Sequence, residues 1–242
     1  MSQHLPVWAP VGSPSDRGGR LRRHWGAVIR LLLVLMLGGV IGPACGRPTP
    51  AGSPMPLPDS YIVADDFSRP NPAWARFDTE ESAVYAVAGE LFLEDRGQGT
   101  SVYTPLIGQE HDDVAVHVDL RHVQGSVNNW MGVLCRMQDE NNYYLLAISA
   151  DGYYLIMKVV EGESVPLVGP EYSEIIRPGK AENRLQARCD GVLLKLQVND
   201  EELATTADTT FREPGGVALF ADAVRRGDIV VVAFDNFVLA SP

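Results

Sequence analysis

From Tyr61 to the C-terminus the chain alternates apolar and polar residues in short runs broken by turn dipeptides, and helical periodicity nowhere outlasts a turn or two. Strand side chains point to opposite faces with a period of two, so this pattern commits a chain to sheets that each bury one face. The clearest run is Asp113–Arg121: Val114, Val116, Val118 and Leu120 share one face, and Asp113, Ala115, His117, Asp119 and Arg121 share the other. About a dozen such runs in roughly 180 residues, with no helices between them, predict two packed antiparallel sheets. That is an all-β sandwich.

Turn chemistry assigns faces to the later runs, because the turn sets the register and the register sets the side. Asp151-Gly152, Asp190-Gly191 and Asn199-Asp200 are residue types that tolerate positive φ in two-residue hairpin turns. A two-residue turn at 151–152 pairs Ala150 with Tyr153. It then groups Tyr144, Leu146, Ile148, Leu155, Met157 and Val159 inward, leaving Tyr143, Leu145, Ala147, Ser149, Tyr154, Ile156 and Lys158 outward. The turn at 190–191 sends Leu185, Ala187, Cys189, Val192, Leu194 and Leu196 inward and Arg184, Gln186, Arg188, Lys195 and Gln197 outward. A loop over residues 139–142 pairs Cys135 with Leu146 and Met137 with Tyr144, both inward, and turns Trp130, Leu134 and Arg136 out.

Upstream the composition changes. Arg17, Arg20, Arg22, Arg23 and Arg30 precede an apolar run, Leu31–Ile41, followed by Gly42-Pro43-Ala44-Cys45. Eleven residues rise only about 16 Å as a helix, against about 30 Å of bilayer hydrocarbon. Residues 1–45 therefore read as a signal segment. The small residues before Cys45 resemble the lipobox of bacterial lipoproteins, which implies cleavage before Cys45 and a diacylglycerol on its thiol. An uncleaved anchor from about Trp25 to Ile41 is the other reading of the same residues. Residues 46–58, GRPTPAGSPMPLP, hold five prolines and little apolar mass, and they predict an extended, disordered tether. The sandwich domain is then 59–242, exported and held at the extracytoplasmic face of a membrane.

The stretches Gly132–Tyr144, Ile148–Tyr154, Asn183–Gly191 with Val198-Asn199, and Phe234-Asp-Asn-Phe237 resemble the concanavalin A-like lectin/glucanase superfamily, nearest to its laminin-G-like and family 16 glycoside hydrolase-like modules. The resemblance spans about residues 60–240 and implies a jelly-roll sandwich, while the superfamily holds enzymes, lectins and adhesion modules alike. Retaining hydrolysis needs two carboxyls about 5 Å apart, in a Glu-x-Asp-x-x-Glu pattern on one strand, and no such pattern occurs. Asp113 and Asp119 lie about 20 Å apart along their strand. Nor is there a Gly-x-Ser-x-Gly elbow or a His-Glu-x-x-His run. The expectation is a non-catalytic, lectin-like module for a glycan or cell-envelope component. A structural or protein-interaction domain and a diverged glycoside hydrolase stand beside it.

If the outward positions form one concave face, His117, Asp119, Arg121, Trp130, Arg136, Tyr143, Tyr154 and Lys158 line it. Aromatic rings stack on sugar faces and charged groups bond hydroxyls, although the same residues also suit cross-strand pairing on a solvated sheet. Asp65, Asp66 and Asp235 sit on terminal segments that pair in this superfamily, where they are either Ca²⁺ ligands or caps of turns. No other cofactor is expected. Cys135 and Cys189 face inward on separate strands, in a compartment where disulfides persist, and either form a bridge or pack as buried thiols.

The chain carries 20 Lys and Arg against 31 Asp and Glu; the five arginines and one aspartate of the first 45 residues leave the remainder near −15. Such a surface repels phosphate backbones, so nucleic acid is not an expected partner. If the lipobox reading holds, the mass spectrum of the native protein shows an N-terminus at a diacylglyceryl Cys45. An intact Met1 with a free thiol at Cys45 would instead mean a retained anchor.

Overall fold

The computed structural model describes residues 61–242, so the stretches read as a signal segment and tether, with Cys45, lie outside the described residues. Fifteen strands follow in order: β1 Val63–Asp65, β2 Phe77–Asp78, β3 Ser82–Val87, β4 Glu90–Asp95, β5 Val102–Pro105, β6 Val114–Gly125, β7 Trp130–Asp139 and β8 Asn142–Ile148. The remainder are β9 Tyr153–Val160, β10 Glu163–Tyr172, β11 Asn183–Asp190, β12 Leu193–Val198, β13 Glu201–Ala207, β14 Gly216–Asp222 and β15 Val230–Ala240. They form two antiparallel sheets. One runs β13-β12-β11-β6-β15-β4-β3-β2, with β1 joined to β15, and the other runs β10-β9-β8-β7-β14-β5.

The core lies between the sheets. Val114, Val116, Val118 and Leu120 on β6 face it as the alternation predicts, with Leu185, Ala187, Cys189, Leu194 and Leu196 beside them and Met131, Val133, Tyr144, Leu146 and Ile148 opposite. Each fully buried Val or Leu contributes about 1.5–3 kcal/mol. The terminal strands pair, Asp65 opposite Phe237. Phe234 and Phe237 are both fully buried although three positions apart. A register shift between Asp235 and Val238, with Asn236 at φ +51°, absorbs the extra residue and returns both rings to the core.

One predicted turn is as expected and two differ. Asn199 and Asp200 have φ of +51° and +71° and close Val198 against Glu201 as a two-residue hairpin. At 190–191 the closing pair is Asp190 with Leu193. That shift of two preserves every face except at Val192, which sits exposed on the turn instead of inward. At 151–152 the shift is one. Ser149 Oγ accepts the Tyr153 amide and bonds Asp151, and Ser149 N–H donates to the Tyr153 carbonyl, so Ile148 pairs with Tyr154 across a wider loop. A shift of one exchanges the faces of all β9. Tyr154 and Ile156 turn to the core, while Leu155, Met157 and Val159 turn away from it.

β7 is corrected as well. Cys135 pairs with Tyr144, not Leu146, and the register then slips before Asp139 pairs with Asn142. Arg136 occupies the bulge at φ +49° and is buried, whereas Met137 moves to the outer side. Trp130 and Leu134 lie on the outer side, as expected.

Cys135 and Cys189 form a disulfide that joins the six-stranded sheet to the nine-stranded one. Its 54-residue separation corresponds to roughly 4 kcal/mol of loop entropy removed from the unfolded chain. Replacing both cysteines by alanine is therefore expected to lower stability by about 2–4 kcal/mol. Urea unfolding monitored by fluorescence measures this, and a midpoint equal to wild type would contradict it.

Candidate functional site

The eight residues expected on one face fall into three places. His117, Asp119 and Arg121 lie on the outer side of the nine-stranded sheet, where Asp119 and Arg121 are held by neighbouring side chains. Asp119 accepts Arg184 Nε at 3.1 Å and Asn236 Nδ2 at 3.0 Å, and Arg121 grips Glu90 through two bonds of 3.0 and 2.7 Å. Burial, and the Arg184 charge after it, hold His117 below the ordinary histidine range. These are cross-strand pairs of a polar sheet face.

Tyr154, Lys158 and Arg136 are on the other side of their sheet from where the sequence placed them. The Tyr154 hydroxyl donates to Glu171 at 2.8 Å. Lys158 Nζ donates to Asp208 at 2.7 Å and to Thr210 at 2.8 Å, and Tyr144 OH donates to the other Asp208 oxygen at 2.7 Å. Burial opposes the Asp208 charge, but the bonds from Lys158, Thr210 and Tyr144 outweigh it and hold the carboxyl well below its usual range. Burial pushes the Tyr144 phenol up to about 12. Arg136 bonds Asp113 at 2.6 Å near the bulge.

Trp130 and Tyr143 alone share the outer face of the six-stranded sheet. There they join an apolar cluster drawn from five strands: Leu134, Leu145, Ala147, Leu155, Val159, Ala218 and Phe220, with Tyr103, Met137 and Met157 at its margin. Phe220 pairs with Gly132 and Tyr103, and Asp222 pairs with Trp130. Tyr143 and Phe220 are buried, whereas Tyr103, Trp130 and Asp222 keep accessible area. This corner spans three strands and two residue steps, about 10 Å by 7 Å. Tyr103, Phe220 and Asp222 escaped the sequence reading because β5 and β14 carry no turn signal that fixes their faces.

Asp222 accepts no hydrogen bond from the described residues, and burial together with the nearby Asp95 charge raises its pKa to about 7. Asp235 is raised to about 6, first by burial. At the terminal strands Asp65 is occupied structurally. One oxygen accepts the Phe67 amide, and the other accepts Asn71 Nδ2 at 2.8 Å and Trp74 Nε1 at 2.9 Å, while Asp66 caps Ser68. Asp65 and Asp66 thus cap the turn that follows β1. Among the described residues no group of three or more His, Cys, Asp or Glu side chains is placed to hold a metal ion.

No protein-family model matches the chain, and no curated protein does. Solved structures do. The catalytic domain of an endo-1,3-beta-glucanase (laminarinase) from Thermotoga petrophila superposes with a TM-score of 0.56 at 9% identity, covering 74% of this chain and 96% of that one. A family 43 glycoside hydrolase from Bacillus licheniformis gives 0.56 at 15%, covering 74% and 39%. A Bacillus licheniformis beta-glucanase gives 0.51 at 11%, covering 76% and 100%. At these identities the likeness shows the fold alone, a two-sheet antiparallel jelly-roll β-sandwich.

A carboxyl raised from 3.8 to about 7 holds, in the folded state, a proton that the unfolded chain has already lost. The destabilisation by Asp222 thus grows as pH rises from about 4 and is complete above about 7. Asp222→Asn is expected to raise Tm at pH 8 and leave it nearly unchanged at pH 4, as read by differential scanning calorimetry. An equal shift at both values would count against the raised carboxyl.

Proposed function

We propose that the domain is a non-catalytic, lectin-like module that binds a glycan at the corner formed by Trp130, Tyr103 and Asp222. The observation that carries this reading is an aromatic, apolar sheet face on the side of the six-stranded sheet away from the core, with a carboxyl that has no hydrogen-bond donor among the described residues. A sugar ring stacks its C–H face on an indole or phenol and offers hydroxyls to an adjacent carboxyl. The endo-1,3-beta-glucanase and beta-glucanase superposed above act on glucans with the same sandwich, which supports a carbohydrate for this chain too.

Binding rather than cleavage is favoured by the spacing of acids. Asp95, whose charge reaches Asp222, is buried with its carboxyl taken by the Gly97 and Ala223 amides, and Asp139 lies at the other end of β7 from Trp130, nine residues or about 30 Å away. Retaining and inverting hydrolysis call for carboxyls about 5–10 Å apart. The signal segment and tether support placing the module at an extracytoplasmic membrane surface, held there through Cys45.

The test is a glycan array probed with wild-type, Trp130→Ala and Tyr103→Ala proteins. Wild type is expected to retain a β-glucan or related polysaccharide, and each variant to lose about 1–2 kcal/mol, or roughly tenfold, in affinity. Absence of retention across the array would leave the apolar face to a protein partner. Release of reducing ends by wild type would revive the hydrolase.

A further inference from the structure

A cavity of about 310 Å³ opens at one end of the sandwich, lined by Asp112, Asp113, Arg136, Gly191, Val192 and Arg212. Its walls come from both sheets, Arg136 from β7 and Gly191-Val192 from the β11–β12 turn. The disulfide ties these walls together, since Cys135 directly precedes Arg136 and Cys189 lies two residues before Gly191. Arg136 is 4% exposed and held from three sides: to Asp113 Oδ1 at 2.6 Å, to the Arg212 carbonyl at 3.0 Å and to the Gly191 carbonyl at 3.5 Å. Its Nε is buried and has no hydrogen-bond partner among the described residues. A buried guanidinium hydrogen without an acceptor costs about 1–3 kcal/mol.

The groups left unengaged define what fits. Both the Arg136 bond and the Gly191 amide, at 2.7 Å, fall on Asp113 Oδ1, so Oδ2 receives no bond from the described residues. Asp112 and the Arg212 guanidinium likewise lack side-chain partners among the described residues, and Val192 offers an exposed apolar surface. Two carboxylates and two guanidiniums balance, so the cavity selects neither anion nor cation by net charge. Adjacent free acceptors and donors suit neighbouring hydroxyls, each of which both gives and takes a hydrogen bond. An aliphatic side chain suits the C–H face of a ring. The volume lies at the small end of ligand pockets, enough for a single ring.

We propose that this cavity is a second polyol site, separate from the aromatic corner, that takes one ring of a neutral glycan through vicinal hydroxyls. Asp113 Oδ2 accepts from one hydroxyl, Arg212 donates to its neighbour, and Val192 packs against the ring. Arg136 positions Asp113. The proposal goes beyond the aromatic-face reading and stands on different residues, so either can fail alone.

The experiment titrates the full-length protein with D-glucose, D-mannose and D-galactose in turn, following the Gly191 amide and Arg136 Nε–H resonances by NMR. At least one sugar is expected to shift both saturably, with the shifts unchanged in Trp130→Ala and the apparent Kd about tenfold weaker in Arg212→Ala. Arg212 is exposed and its side chain makes no hydrogen bond or ion pair with the described residues, so this variant leaves the polar bonds of the fold in place. Asp113→Asn, checked by its melting curve, is expected to weaken the same titration. Static resonances with all three sugars, an unchanged Kd in Arg212→Ala, or loss of the shifts in Trp130→Ala would overturn the proposal. The last result would assign the sugar to the aromatic corner instead.

Discussion

The fifteen strands of the described residues share one core because each turns alternate side chains toward the opposite sheet while its backbone pairs with its neighbours. The central pair, β6 with β15, runs from Val230 opposite Gly125 to Ala240 opposite Ala115, and Val116, Val118, Leu120, Phe234, Phe237 and Leu239 on it are all buried. Anything that moves a strand by one residue relative to this pair sends its apolar set to the outside. At two bulges a residue of positive φ makes such a move: Asn236 on β15 keeps two phenylalanines inward, and Arg136 on β7 does the opposite, turning Met137 out and burying a guanidinium. The same device conserves a core in one place and builds a polar cavity wall in the other.

Several charged groups that look available in a linear reading are engaged in holding loops and strand ends. Asp65 gathers the Phe67 amide, Asn71 and Trp74 and so fixes the segment that leads from β1 to β2. Asp208 joins Tyr144 and Lys158, which anchors the chain after β13 to the six-stranded sheet. Asp119 ties β11 and the β15 bulge to β6. Each of these carboxylates is satisfied by donors from distant positions, which is how a buried or half-buried charge is made tolerable. Asp222 beside Trp130 and Asp113 Oδ2 in the cavity, neither of which receives a hydrogen bond from the described residues, lie on two different surfaces of the sandwich.

Those two surfaces differ in chemistry. The outer face of the six-stranded sheet is apolar and aromatic with one carboxyl at its corner, and it is laid on strands, so its geometry is rigid. The cavity is polar, lies where strand ends and turns meet, and gains its rigidity from the disulfide and from the bonds around Arg136. A module with both features can engage an extended chain at two points, provided their separation matches the repeat of that chain.

By itself the sequence determined the sandwich, the inward face of β6 and two inward cysteines on separate strands, because period-two alternation depends only on local residue types. The hairpin at Asn199-Asp200 was legible for the same reason, since a two-residue turn has no competitor there. The turn at Asp151-Gly152 was not. Ser149 supplies a side-chain oxygen that captures the Tyr153 amide, and one added loop residue exchanged Tyr154 and Lys158 with Leu155, Met157 and Val159. Which sheet a residue belongs to was equally invisible. His117, Asp119 and Arg121 look like neighbours of Trp130 and Tyr143 in a list of outward positions, yet they lie on opposite outer faces of the sandwich. Alternation reports only that a side chain points away from the core. Tertiary pairing decides from which sheet it points away, and hence which residues can meet one ligand.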